Sequence, residues 1–308
     1  MAINSTYYIN AANLATATAV YLDSALSLIA PDGFYSDGVI SREQSLGILL
    51  TANACPECGT PCGESIGGSG GQGLYLVNLN AGTDIGAILI RFDPDNVPDG
   101  IKAVYDGNTY NKLSSPQYGV LESTNPLGFT VFGSVGSDCG LSGNITNIPN
   151  ATEYLYSGGS FVPTGNTQSI TINPGDVVLK PSPPGSSVMV IPKVNPSPNI
   201  VNISIIGPCT GTAWNLLVSC PAFLPSFTSS VKYNTASIPC GAPLTQTFYF
   251  AEASNFLSTV VQIDDLVFED AYGATLLANG FYLTSTVANP NKVIQVQNGA
   301  IIGITNCI

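Results

Sequence analysis

The amino-acid sequence predicts an all-β protein: a central jelly-roll-like β-sandwich flanked by two small, related β modules. Three observations lead there. Glycine (32) and proline (22) occupy 54 of the 308 positions, and both break helix interiors. Short β-branched and aromatic runs recur between Gly, Pro, Asn and Asp clusters, as in Gly86–Phe92, Ile101–Tyr105 and Ile200–Ile206, which is the signature of strands joined by turns. A stretch near the start of the chain also returns near its end.

Residues 1–54 read as the N-terminal β module. Its only helix-like stretch, Leu14 to Ile29, is rich in Thr and Ala and reads equally as strand and turn. Within it begins the repeat: Tyr21-Leu-Asp23, then Ile29 to Gly33-Phe34-Tyr35. The later copy runs Phe268-Glu-Asp270, then Leu276 to Gly280-Phe281-Tyr282 without a gap. After a loop longer by seven residues, Val39-Ile40 through Leu50 matches Val293-Ile294 through Ile304. One small β unit used twice accounts for this, with the Gly at a turn, the aromatics in a core and the Asp bonding turn backbone.

Residues 55–73 read as a Cys/Gly-rich linker, because Gly67-Gly-Ser-Gly-Gly-Gln-Gly73 lacks the Lys-Ser/Thr ending of a phosphate loop. Residues 74–222 read as the sandwich. Turns such as Pro98-Asp99-Gly100 and Asp106-Gly107-Asn108 connect its strands. Trp214, the single tryptophan, alternates with Leu216 and Val218 on one face and belongs to the core. Lys180-Pro-Ser-Pro-Pro-Gly185 reads as a stiff exposed loop. Residues 223–308 form the C-terminal β module resembling the first.

Charge and composition exclude several functions. Twenty acids against eight bases give a formal charge of −12, and no basic stripe exists to displace counterions from nucleic acid. No run of 18 apolar residues is present, so membrane insertion by a helix is not expected. Histidine is absent, which removes Ser-His-Asp and Cys-His nucleophile systems and every His-ligated metal. The first residues lack the basic start of a signal peptide, so synthesis in a cytoplasm is expected. No catalytic motif stands out, and the chain is not expected to be an enzyme.

The candidate site residues are Cys55, Cys58, Cys62 and Cys139. Four thiolates so spaced could hold a structural zinc, the even cysteine count allows disulfides, and inert buried thiols are the third reading. No other cofactor is implied. Cys209, Cys220, Cys240 and Cys307 lie in or beside apolar strands and read as inert thiols. Acids cluster at Asp93, Asp95 and Asp99 and at Asp264, Asp265, Glu269 and Asp270. Without the glycine and glutamate of a calcium loop, the first cluster reads as solvated turn caps. Tyr105, Tyr110 and Tyr118 are the aromatics available to a sugar-binding surface, although Tyr105 alternates with Ala103 and Ile101 as a core residue does.

Several stretches carry a resemblance: Ala11 to Tyr21, Ala30-Pro-Asp-Gly-Phe-Tyr-Ser-Asp-Gly38, Tyr110 to Pro116, Gly211-Thr-Ala-Trp214 and Phe268-x-Asp-Ala-Tyr-Gly273. Together they resemble virion structural proteins of tailed bacteriophages that infect Bacteroidota, including crAss-like and flavobacterial phages. The resemblance spans nearly the whole chain. It implies a multi-copy tail, ring, collar or baseplate subunit, located in the virion, whose partners are other copies of itself and neighbouring virion proteins. It carries over no functional residue. The alternative is a glycan-binding adhesion module that meets host-surface glycans.

Overall fold

The structure, a computed structural model, describes residues 6–37, 40–54, 59–115, 118–123, 127–137, 139–141, 146–181, 185–253, 260–285 and 291–308. Strands dominate. Among the described residues the only helical turns are Val135–Ser137 and Pro174–Asp176, and the ambiguous stretch from Leu14 is turns around the short strand Val20–Tyr21.

Eight strands form a jelly-roll sandwich. Taken in chain order they are Ser65–Gly70, Gly73–Asn80, Gly86–Asp93, Asp99–Tyr105, Thr130–Ser134, Ser187–Lys193, Ile200–Gly207 and Thr212–Val218. The first, eighth, third and sixth lie side by side in a six-stranded sheet, extended by Leu113–Ser115 and Gly119–Leu121. The second, seventh, fourth and fifth lie in the opposite nine-stranded sheet, extended by the hairpin of Thr146–Ser157 and Ser160–Ile172.

The stretch expected to be a linker supplies the first of these strands, with Thr60–Pro61 pairing alongside Gly73–Asn80. Glycines hide its strand signal, and packing explains them. A Cβ on Gly68 would lie 2.2 Å from the Trp214 ring, so the indole lies across a strand that has no side chain there. Trp214 is buried, edge-on to Tyr75 and Phe161. Phe92, Phe132 and the aliphatic residues of both sheets complete the core.

The C-terminal module is a closed barrel of Ser226–Ser229, Gln246–Ala251, Leu266–Phe268, Ala300–Asn306, Lys292–Gln297 and Gly280–Thr284. Its outer side packs on the six-stranded sheet through Leu266, Phe268 and Ala300 against Ala87 and Val188. The N-terminal module repeats its bonding. The bridge Tyr21 to Ile29 matches Phe268 to Leu276. Asp23 accepts from the amides of Ser27 and Leu28 at 2.9 Å each, and Asp270 from those of Ala274 and Thr275 at 3.1 and 2.7 Å. Asp32 accepts from Leu46 N at 2.7 Å as Asn279 does from Asn298 N. The pair Tyr8 and Tyr21 has its counterpart in Tyr249 and Phe268.

The second half of the repeat aligns differently from the sequence comparison. Tyr35 pairs with Arg42, and Tyr282 with Ile294. Tyr35 to Tyr282 is a step of 247 and Arg42 to Ile294 one of 252, so the loops differ by five residues and not seven. A slip of two residues keeps every side chain on its own face, which is why hydrophobic alternation could not detect it.

Candidate functional site

Six of the eight cysteines are arranged as cystines. Cys62 joins Cys220 with Cα atoms 4.9 Å apart, Cys139 joins Cys209 at 6.1 Å, and Cys240 joins Cys307 at 5.0 Å. Cys62 and Cys139 therefore have separate partners, and a sulfur in a disulfide is not the thiolate that zinc needs. So joined, Cys62 and Cys139 do not fit the zinc reading and follow the disulfide one. Among the described residues no three metal-ligating side chains converge, while Cys55 and Cys58 lie outside the described residues. Cys209, Cys220, Cys240 and Cys307 are half-cystines, a correction to their reading as inert thiols. Separations of 158, 70 and 67 residues leave no local spacing to read; only the fold brings the partners together.

The acids divide in the same way. Asp270 caps a turn as expected, and Asp93 accepts from Asp95 N at 3.0 Å. Asp99 departs from its expected solvated role. It is fully buried and accepts from the Thr212 hydroxyl, and burial raises its carboxyl well above the usual range despite that bond. Lys180, expected in an exposed loop, is a buried strand residue with Nζ 5.0 Å from the centre of the Phe132 ring.

Lys180 belongs to a band of buried ionisable groups where barrel meets sandwich. Burial lowers its ammonium to about 8, opposed by the charges of Asp93 and Asp264. From the six-stranded sheet, Arg91 donates Nη2 to the Glu252 carbonyl at 3.0 Å, and Ser114 donates to the Asp264 carbonyl. Asp265 accepts from Gln262 N at 2.7 Å and Ala253 N at 3.1 Å. Burial pushes its carboxyl up to about 7 against those bonds, with Glu252 and Asp264 adding to the rise. The bonds of Arg91 and Ser114 are directional across an otherwise apolar contact, so they fix how the barrel sits on the sheet. Sequence reasoning missed this band because its members are scattered from Arg91 to Asp265.

Beside that band the two units leave a recess of about 340 Å³, lined by Val120, Val190 and Pro192 of the sandwich and Phe268 and Leu276 of the barrel. The aromatics considered for sugar binding do not share one exposed surface. Tyr105 is core, its hydroxyl donating to Pro198 O at 3.0 Å. Tyr110 is half-buried at the recess, and Tyr118 is exposed with its hydroxyl bonded to Leu179 O.

Exposed apolar side chains concentrate elsewhere. Of the nineteen large ones among the described residues, ten lie between Tyr7 and Leu50. No protein-family model, curated protein or solved structure matches the chain.

Proposed function

We propose that this chain is a structural component of a bacteriophage virion, a multi-copy tail, ring, collar or baseplate subunit that acts through contacts between subunits. The observation that carries this reading is the duplicated module. One copy is seated on the jelly roll, and the other, at the far end of the chain, presents ten large apolar side chains to solvent around a small buried core. Such a concentration of exposed apolar side chains on one unit suits a surface that meets other proteins. The resemblance to virion proteins of Bacteroidota phages supports the same role.

Three cystines favour a location in oxidising surroundings, which suits a particle that persists outside the cell after synthesis in a host cytoplasm. The groups that ionise within the fold hold strands and modules together, so the reading assigns no catalysis. Of the three aromatics of the glycan reading, Tyr105 is core and Tyr110 half-buried, which leaves Tyr118 exposed.

Mass spectrometry of purified virions encoded by the genome that carries this sequence tests the proposal. Peptides of this chain at several copies per particle are the expected result. Their absence from intact particles would overturn it.

A further inference from the structure

The two copies of the module differ most in what covers one face. In the barrel, Phe268, Leu276 and Ala300 pack toward Ala87, Val188 and Val190 on the outer side of the six-stranded sheet. The counterparts of Leu276 and Ala300 in the N-terminal copy are Ile29 and Ile48, which are 51% and 61% exposed, and Leu46 in the adjoining turn is 90% exposed. We propose that this bare face seats on a second copy of the chain, in the recess that the barrel leaves open on its own six-stranded sheet. The proposal rests on the structural-subunit reading and names its partner and contact.

Three observations point to that seat. The equivalent face already recognises the outer side of this sheet, in the same chain. Its side chains are bulkier in the N-terminal copy: Leu26 stands where the barrel has Gly273, and Ile48 where it has Ala300. A Cβ on Gly273 would lie 2.5 Å from Val190, so the bulkier face cannot lie flat as the barrel does and needs a hollow. The recess of about 340 Å³ is such a hollow, lined by Val120, Met189, Val190, Pro192 and Phe268 together with the exposed Thr109 and Ala274.

Geometry excludes seating within one chain as the structure stands. The N-terminal module lies by the tip of the Thr146–Ser157 hairpin, where Ser157 Oγ donates to Asp37 O at 3.2 Å. That hairpin is the edge of the nine-stranded sheet, separated by two strands from Asp99–Tyr105. The recess lies on the six-stranded sheet and meets the nine-stranded one only through Thr109 and Tyr110, which pair with Asp99–Tyr105. Face and recess meet only between copies, head to tail, and such a contact propagates into a ring or a filament.

Light scattering on the purified full chain tests this with two variants. Leu46→Asp/Ile48→Asp charges the face, and Thr109→Glu/Ala274→Glu charges the recess; all four side chains are solvent-exposed, and circular dichroism checks the fold. The wild type is expected to self-associate, each variant to be monomeric, and their equal mixture to stop at dimers, because one intact face then meets one intact recess. A mixture that stays monomeric, or a variant that associates like the wild type, would overturn the proposed seat. A wild type that stays monomeric yet is found in virions would overturn the seat and leave the structural role standing. Self-association by a chain absent from virions would support the seat and sink the virion reading.

Discussion

The bond between Cys62 and Cys220 closes a loop of 158 residues around the sandwich, joining the approach to its first strand with the exit from its last. Replacing both cysteines by alanine removes that constraint from the unfolded chain while leaving small side chains at both positions. The chain-entropy relation gives about 5 kcal/mol for a loop of this length, at the top of what removal of a native disulfide costs. With a urea slope of about 2 kcal/mol per molar, the midpoint should fall by about 2.5 M. Trp214 is the probe: it is the single tryptophan, it is buried, and its strand ends two residues before Cys220. Its emission reports the sandwich without assuming that all three units unfold together. The double variant and the reduced wild type should both unfold earlier than the oxidised wild type. Coincident transitions for all three would refute the claim that this cystine constrains the sandwich.

The same fluorescence tests Gly68→Ala. The added methyl should push the indole out of place, red-shifting emission and costing about 1–3 kcal/mol of stability; an unchanged spectrum would contradict the packing. Asp265 gives a pH signature. Its folded carboxyl, at about 7, lies above the unfolded value of about 4, so the neutral form is favoured in the fold. Its contribution is complete below pH about 4 and is lost as pH rises toward 7. The upper size is about 4 kcal/mol, and Asp265→Asn should flatten stability curves in that window, as followed by urea titrations at stepped pH. Asp270→Ala should cost about 1–3 kcal/mol by leaving the amides of Tyr272, Ala274 and Thr275 without their acceptor. Thermal melting followed by near-ultraviolet dichroism of the barrel tyrosines measures the loss.

Fold class was legible because it rests on local signals. Strand runs such as Gly86–Phe92 and turns such as Pro98-Asp99-Gly100 are set by propensity and backbone geometry within a few residues. Trp214 and Tyr105 could be placed in the core by alternation alone. What sequence hid is non-local or inverted. Ser65–Gly70 keeps only Ile66 as an apolar signal, and at Gly68 the side chain is missing because a partner strand supplies the indole that lies across it. Lys180 and Asp99 bear the charges of surface residues yet are buried, and only the sheet over them explains it. The cystines and the band from Arg91 to Asp265 join positions that chain spacing keeps apart, so no motif could announce them.

The two modules show why a repeat can persist in structure while fading in sequence. The amide of Val20 donates to the Gln44 side chain at 2.6 Å, and that of its counterpart Val267 to the backbone of Gly299 at 2.8 Å. Gln44, fully buried, also donates Nε2 to Ala30 O at 2.8 Å. Val296 stands at the matching place in the barrel, inside an apolar core with Phe227, Phe250 and Tyr282. Among the described residues the N-terminal copy has no counterpart of the Ser226–Ser229 strand, and its core is built on Leu14, Ala17, Val20, Ala30 and Leu49. In that smaller core a glutamine can reach the strand edge and satisfy backbone groups that would cost free energy if buried unpaired. The constraint that survives is the hydrogen-bond frame, because each buried donor needs some acceptor. The side chains that supply or cover those bonds are free to change with whatever each face must meet.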